Sequence, residues 1–408
     1  MDLFFSAETI ADVLSVSKCN VSSWANNGKL VPELDPDKHQ KPYTRKQLES
    51  FPEFQKMFNS KWDEHMSIEP IKDYSLVELF AGGGGLALGL EKAGFKSIML
   101  NELEKAPCET LKANRPNWNV VQGDISHIDF TEFEGKVDLL TGGFPCQPFS
   151  YAGKKLGLDD IRGTLVFEMI RAIREIKPKI FLAENVKGLQ TDNNGKTLSK
   201  IIEFIEDSGY TVVEYNVYKI MMYNVPQKRE RLILIGVRND LANNVMFEPP
   251  SFFKKVVTVK DALKKGELYD SDVPESLGQK YPSRKEEIMS FVPEGGYWRD
   301  LPIELQMEYM KGSFHLGGGK TGMARRLSWN EPSLTLTCSP AQKQTERCHP
   351  SENRPLTTRE YARIQTFPDD WVFKGTITQI YKQIGNAVPV NFATAIGKSI
   401  VKMLNSLG

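Results

Sequence analysis

The sequence predicts an α/β protein built on a parallel sheet wound with helices, preceded by a small helical unit and interrupted by a smaller inserted domain. From Ser75 onward, short apolar runs at Leu76–Phe80, Ser97–Leu100, Val137–Leu140, Ile180–Ala183 and Leu232–Val237 alternate with helical stretches. The first run enters a glycine-rich turn, Ala81-Gly-Gly-Gly-Gly, and residues 240–323 lose the rhythm in a stretch rich in Gly, Pro, Lys and Glu. In such a fold a ligand sits at the carboxyl ends of the strands.

Residues 1–66 read as a unit of their own. Ser6-Ala-Glu-Thr-Ile-Ala-Asp-Val-Leu has helical spacing, Ser17 to Trp24 gives a second short helix that Gly28 ends, and Tyr43-Thr-Arg-Lys-Gln-Leu starts a third. This order resembles the winged helix-turn-helix of the MerR and excisionase type. The resemblance implies DNA binding, with an operator near the protein's own gene as the expected target; the other reading is a small domain that packs on the catalytic core or mediates dimer contacts. Against it, acids slightly outnumber bases in this segment, whereas a phosphate-gripping module should be basic. The remaining chain divides into 75–239, the insert 240–323, and 324–408, which joins the insert and returns to the sheet domain through helical spacing at Thr358–Gln365 and Asn391–Leu404. Every candidate chemical group lies after Ser75, so the first 66 residues are expected to be dispensable for chemistry.

Lys and Arg number 52, as do Asp and Glu, for a formal net charge of +0. That balance argues against a protein that coats nucleic acid by bulk charge and leaves room for a local basic groove. No apolar run approaches the roughly 20 residues of a membrane span. The opening residues carry Asp2 and Glu8 where a secretory signal would be basic, so a cytoplasmic protein without membrane contact is expected. The five cysteines are scattered without a CxxC pair, which predicts free thiols and no metal centre.

In the turn after the first strand, glycines let the backbone bend sharply and approach a ligand before a helix begins. The absence of a Gly-Lys-Ser/Thr ending argues against an ATP phosphate loop. Glu102, just after the next strand, is placed to accept hydrogen bonds from ribose hydroxyls, and Asp124 follows a further extended run at Val120-Val-Gln-Gly. Together they suggest an adenosine-like ligand; a dinucleotide dehydrogenase uses similar parts and stays open on these residues alone. Gly142-Gly-Phe-Pro-Cys-Gln-Pro-Phe-Ser then presents Cys146 in a proline-bracketed loop at the end of the sheet, where rigid presentation and thiolate character suit a nucleophile.

Phe80-Ala-Gly, Pro145-Cys-Gln, Glu184-Asn-Val, Gln227-Lys-Arg-Glu-Arg and Gln383-Ile-Gly-Asn-Ala-Val-Pro stand in one order along the chain. From Ser75 to the last helical stretch the sequence resembles the DNA cytosine-5 methyltransferases, and a dehydrogenase has no use for Pro-Cys-Gln or Glu-Asn-Val. The resemblance implies a Rossmann-like sheet that binds S-adenosyl-L-methionine, a target-recognition domain at 240–323, and a substrate cytosine flipped out of a short specific sequence in duplex DNA. It implies a partner nuclease in a restriction-modification system.

Residue by residue, it implies that Cys146 adds to carbon 6 of the base, that Glu184 contacts ring nitrogen 3, and that Arg229 and Arg231 orient base and phosphate. It puts Phe80, Ala81, Gly82, Gly84, Glu102, Leu103, Asp124, Ile125, Pro145, Leu165, Asn386 and Val388 around the cofactor, with Asp124 and Ile125 at the adenine edge. Gln147, Ser150, Lys154, Lys155, Arg162, Arg325 and Arg326 are the expected DNA contacts, joined by Lys343 and Arg347. Two other readings share part of this pattern. A tRNA cytosine-5 methyltransferase carries Pro-Cys-Gln and Glu-Asn-Val, but Gly143-Phe-Pro-Cys-Gln-Pro-Phe-Ser favours DNA. A catalytically silent DNA-binding regulator is disfavoured by the intact Cys146, Glu184 and Arg231.

Overall fold

In the computed structural model, which describes residues 4–33, 43–144 and 165–408, the chain begins with β1 (Phe4–Phe5), α1 (Ala7–Leu14) and α2 (Lys18–Asn26). It continues through β2 (Tyr43–Thr44), α3 (Arg45–Leu48), α4 (Pro52–Phe58) and α5 (Trp62–Met66). Ser6 and Ser17 cap α1 and α2 by accepting the backbone N–H groups of Thr9 and Asn20. These elements do not form a separate body. Phe5, Ile10, Val13, Val21, Leu48, Phe54 and Trp62 belong to one continuous apolar cluster with Leu76, Leu86, Ile233 and Phe392. The His65 ring nitrogen Nε2 lies 2.8 Å from the Ala395 carbonyl, and Trp62 meets Phe253 edge to face. Helical spacing marks which residues share an apolar face; it does not say whose core that face joins.

The sheet domain follows as β3 (Tyr74–Leu79), α6 (Gly85–Ala93), β4 (Phe95–Glu102), α7 (Lys105–Asn114), β5 (Val120–Gln122) and β6 (Leu139–Gly142). Next come α8 (Leu165–Ile176), β7 (Ile180–Val186), α9 (Gly188–Thr191), α10 (Lys196–Glu206), β8 (Tyr210–Lys219), β9 (Gln227–Lys228) and β10 (Glu230–Arg238). The central sheet has seven strands in the order β5-β4-β3-β6-β7-β10-β8. Pairings among β5, β4, β3, β6 and β7 are parallel, while β10 runs antiparallel to both β7 and β8. The predicted parallel sheet is present in β5, β4, β3, β6 and β7, and β10 departs from it. Parallel neighbours need a crossover, usually a helix, and no α-helix lies between β8 and β10, so the chain returns antiparallel.

The remaining elements are α11 (Val259–Leu263), α12 (Ser283–Ser290), α13 (Ile303–Met310), β11 (Ser333–Leu334), α14 (Thr358–Ile364), α15 (Ile377–Asn386) and α16 (Val390–Asn405). Val259, Ala262 and Leu263 pack with Leu111, Tyr361 and Trp371 of the sheet-domain side. Tyr281, Ile288, Met289, Trp298 and Met310 build a small core of their own with Met323, Ala324 and Cys348. The chain closes on itself where α16 crosses α6. A Cβ on Gly89 would fall 2.3 Å from the Cβ of Ala393, and one on Gly85 2.3 Å from the Val388 carbonyl oxygen. Part of the glycine-rich stretch therefore serves helix-helix approach rather than a ligand. Among the described residues no helix is long and apolar enough to cross a membrane.

Candidate active site

A cavity of about 460 Å³ opens at the carboxyl ends of β3, β4 and β7. At one end β3 runs into Phe80, a non-glycine residue with φ of 57°, a backbone state that costs roughly 1–2 kcal/mol and marks a functional constraint. Phe80, Ala81, Gly82, Glu102, Leu103, Leu165, Asn386 and Val388 all line this cavity. The Gly82 N–H donates to Glu102 Oε2 at 2.8 Å and the Glu104 N–H to Oε1 at 2.8 Å, so the Glu102 carboxylate is fixed before any ligand arrives. Leu103 is 64% exposed at the rim, an apolar side chain that a ligand would cover.

Three residues expected around the ligand stand elsewhere. Gly84 caps α6 at φ 86°, where a Cβ would meet Leu111 and Trp371 at 2.7 and 2.8 Å. Its role is to let the turn pass close to that tryptophan. Asp124 does not line the cavity; its Oδ1 accepts the backbone N–H and hydroxyl of Ser126, an arrangement that lowers its carboxyl pKa. Ile125 is buried in the apolar layer beneath, with Val77 and Phe130.

Glu78 was missed by sequence reasoning. It lies on β3, is 2% exposed and lines the cavity, yet its Oε2 has no hydrogen-bond partner among the described residues. Burial pushes its carboxyl well above the ordinary 4.5, a backbone N–H from Ala87 partly offsets this, and Glu102 adds to the rise. An acid inside the otherwise apolar Leu76-Val-Glu-Leu run was the available signal.

The other end of the cavity is built by β7 and β10. Glu184, 9% exposed, faces Arg231 with Oε1 2.6 Å from Nε, and both side chains line the wall. Asn185 donates from Nδ2 to the Phe144 carbonyl at 3.0 Å, tying β7 to the loop that leads toward residue 146. Pro145, Cys146, Gln147, Ser150, Lys154, Lys155 and Arg162 lie outside the described residues.

Over residues 74–402 the sequence matches the family described as C-5 cytosine-specific DNA methylase. The chain belongs to that family and is a DNA (cytosine-5-)-methyltransferase. It is 71% identical over 405 residues to the Type II methyltransferase M.PspPI of Psychrobacter sp. (strain TA137), covering 99% of this chain and 97% of that one. It is 60% identical over 403 residues to the Type II methyltransferase M.Eco47II of Escherichia coli, covering 99% and 96%. Among solved structures, a DNA modification methyltransferase encoded within an E. coli prophage matches with a TM-score of 0.63 at 25% identity, covering 82% of this chain and 100% of that chain. Membership in the family implies S-adenosylmethionine as methyl donor.

In this methyltransferase Arg229 is buried behind Arg231. Its Nη1 donates to the Leu336 carbonyl at 3.3 Å and its Nε has no partner among the described residues. Burial, and then the nearby Arg231, lower its pKa. A chain of buried amides backs this end: Gln227 Nε2 donates to Gln365 Oε1 at 2.8 Å, and Gln365 Nε2 donates to the Ile384 carbonyl at 2.7 Å, beside the cofactor end. The Gln227 motif thus also joins the two halves of the site.

Arg326, expected as a DNA contact, corrects that expectation. It is 4% exposed, and its guanidinium donates to the carbonyls of Met289, Val292, His349 and Glu352 and to Asn353 Oδ1. Every arm of the fork is occupied in joining the inserted core to the returning chain. Arg347 is likewise buried, donating to the Glu346 and Thr335 carbonyls. Arg325 is half-buried, with Nη2 3.9 Å from Glu8 and its guanidinium over Tyr297, whereas Lys343 is exposed. Burial pushes the Cys108 and Cys348 thiols up to about 11, which leaves them inert at neutral pH. Among the described residues no cluster of His, Cys, Asp and Glu is suited to a metal ion.

Proposed function

We propose that this enzyme transfers a methyl group from S-adenosylmethionine to carbon 5 of a cytosine rotated out of a short specific duplex sequence, as the modification partner in a Type II restriction-modification system. The observation that carries the reading is the Glu184–Arg231 pair, 2.6 Å apart, in one cavity with Glu78, Phe80 and the fixed carboxylate of Glu102. The donor fits the other end of that cavity: Phe80 offers a ring, Glu102 two oriented oxygens, and Glu78 a carboxyl oxygen, unpartnered among the described residues, for positive charge. When bound, it supplies an electrophilic methyl on a positively charged sulfur.

The chain's own residues do the rest. Cys146, two residues beyond the wall residue Phe144, adds through its thiolate to carbon 6, and the electron density gained makes carbon 5 nucleophilic. Glu184, at ring nitrogen 3, limits the charge that builds up in the ring, and Arg231 holds Glu184 while fixing the base. Carbon 5 takes the methyl as its bond to the donor sulfur breaks, leaving S-adenosylhomocysteine; loss of the carbon 5 proton to solvent then restores the ring double bond and lets the thiolate leave. Asn185 positions the loop before Cys146 through the Phe144 carbonyl. Gln147 is assigned to the gap left by the base, residues 150–163 with Lys154, Lys155 and Arg162 to closing over the duplex, and 240–323 with Arg325 to reading the target.

For residues 1–66, promoter binding draws support from the exposed polar face of α2, where only Val21 is buried. The acidic balance of the segment and the burial of α1 weigh against it. The test of the main reading is a duplex carrying 5-fluorocytosine at the target, which wild-type enzyme should trap as a covalent adduct. Cys146→Ser should bind S-adenosylhomocysteine normally and form no adduct; an adduct with the Ser variant would remove Cys146 as nucleophile.

A further inference from the structure

The first helix of the methyltransferase meets the rest of the molecule at a buried charge cluster. Lys228, its side chain 13% exposed, points its ammonium at Asp12 Oδ2 (2.6 Å), Glu8 Oε1 (3.1 Å) and Glu331 Oε2 (3.8 Å). Glu8 and Asp12 lie one turn apart on α1 and so face the same way. Glu331 is held from the other side, accepting from the hydroxyls of Ser6 at 2.5 Å and Thr9 at 3.2 Å. Lys219, at the carboxyl end of β8, donates to the last carbonyls of α1, Val13 at 2.6 Å and Asp12 at 3.1 Å.

Two features of this place bear on catalysis. Lys228 ends β9, whose parallel pairing with β11 ties the segment just before β10 to the chain that returns after the 240–323 insert. Along this extended segment side chains alternate: Gln227, Arg229 and Arg231 turn toward the interior, Lys228 toward α1, and Glu230 toward Lys187 at 3.0 Å. Fixing Lys228 therefore fixes the height of Arg229 and Arg231 on the opposite face.

We infer that α1 is a clamp on the methyltransferase's own catalytic strand, holding Lys228 through Glu8 and Asp12 so that Arg229 and Arg231 stand in register with Glu184. The first 66 residues are then part of the machinery for base positioning, and Lys228, Glu8 and Asp12 are positioning residues. The inference rests on the proposal that Arg229 and Arg231 handle the target cytosine. It also replaces the expectation that these residues are dispensable.

The test uses the full chain and duplex DNA in single-turnover methyl transfer. Glu8→Gln with Asp12→Asn keeps shape and removes the charge that holds Lys228. The rate should fall about tenfold, as expected for a small misplacement of reacting groups, while the dissociation constant of S-adenosylhomocysteine stays unchanged. Lys228→Met should match that loss and Lys228→Arg should recover most of the rate. A wild-type rate in the double variant overturns the clamp. So does a parallel loss of rate and cofactor binding, which marks a merely structural cluster, as does unaltered methylation accompanied by lost binding to promoter DNA. Arg231→Lys separates the two layers: if it transfers methyl at the wild-type rate, the reading of the arginines fails first, whatever the clamp variants do.

Discussion

Glu78 and Glu184 line the same cavity from strands β3 and β7, and both are almost fully buried, yet they face opposite electrostatic conditions. Glu184 has a guanidinium 2.6 Å away that holds its carboxyl group at a defined place. Among the described residues Glu78 has no ion-pair partner and keeps one oxygen unpartnered, and burial pushes its carboxyl pKa well above the ordinary 4.5. On the proposed reading, the difference teaches that the Glu184–Arg231 pair meets the base with its charges already matched, whereas Glu78 meets a charge only when the cofactor brings it.

The sharpest way to break this comparison is at Glu184. Glu184→Gln removes the charge opposite Arg231 and should lower single-turnover methyl transfer by roughly 10²-fold or more, with the dissociation constant of S-adenosylhomocysteine unchanged. A matching loss of cofactor affinity would show that the two ends are not independent.

Glu78 comes next. Glu78→Ala should weaken binding of S-adenosylmethionine about tenfold, as loss of one buried charge-assisted contact does, with calorimetry as the measurement. The pH dependence has a definite sign. In the folded protein the carboxyl holds its proton above the ordinary 4.5, so between that value and its raised pKa the folded state binds more protons than the unfolded chain. Stability should therefore fall as pH rises through this window, and Glu78→Gln should flatten the slope. A positive ligand favours the ionised carboxylate, so cofactor binding should release a proton and tighten with pH in the same window. Binding that neither releases a proton nor varies with pH would remove Glu78 from the cofactor's charge.

Gly143 tests how tightly the base end is packed. An added Cβ would stand 3.0 Å from Glu184 Oε2, so Gly143→Ala should push the carboxylate off its place and slow methyl transfer about fivefold, with cofactor affinity intact. The smallest effect is expected at Asp124, whose exposed carboxylate is engaged with Ser126. Asp124→Ala should leave cofactor affinity within about twofold of wild type. A loss as large as that of Glu78→Ala would put Asp124 back at the adenine edge.

Much of the site could be read from residues that are close together in sequence. The glycine-rich turn and Glu102 each follow or end a strand, and a strand's carboxyl end is where an α/β sheet binds its ligand, so spacing pointed to them, whereas Phe80 and Glu184 were assigned through the family motifs that carry them. Arg326 shows where such reading stops. As a basic residue beside the insert it had the chemistry of a phosphate contact, but five acceptors spread from Met289 to Asn353 converge on it only in the folded chain. Glu78 shows the converse, since its lack of a partner is a property of its surroundings and not of Leu76-Val-Glu-Leu.

The sequence by itself determined the succession of strands and helices along the sheet domain and the family motifs, because these depend on local periodicity and on residue types at short spacing. Only the tertiary structure decided that β10 runs antiparallel, that α1 and α5 join the main core, and that Lys228 is enclosed by Glu8, Asp12 and Glu331. The physical reason is that burial and ion pairing are set by which faces meet. Glu8 and Glu331 are 323 positions apart in the chain, and no local pattern in either segment records that they share one ammonium.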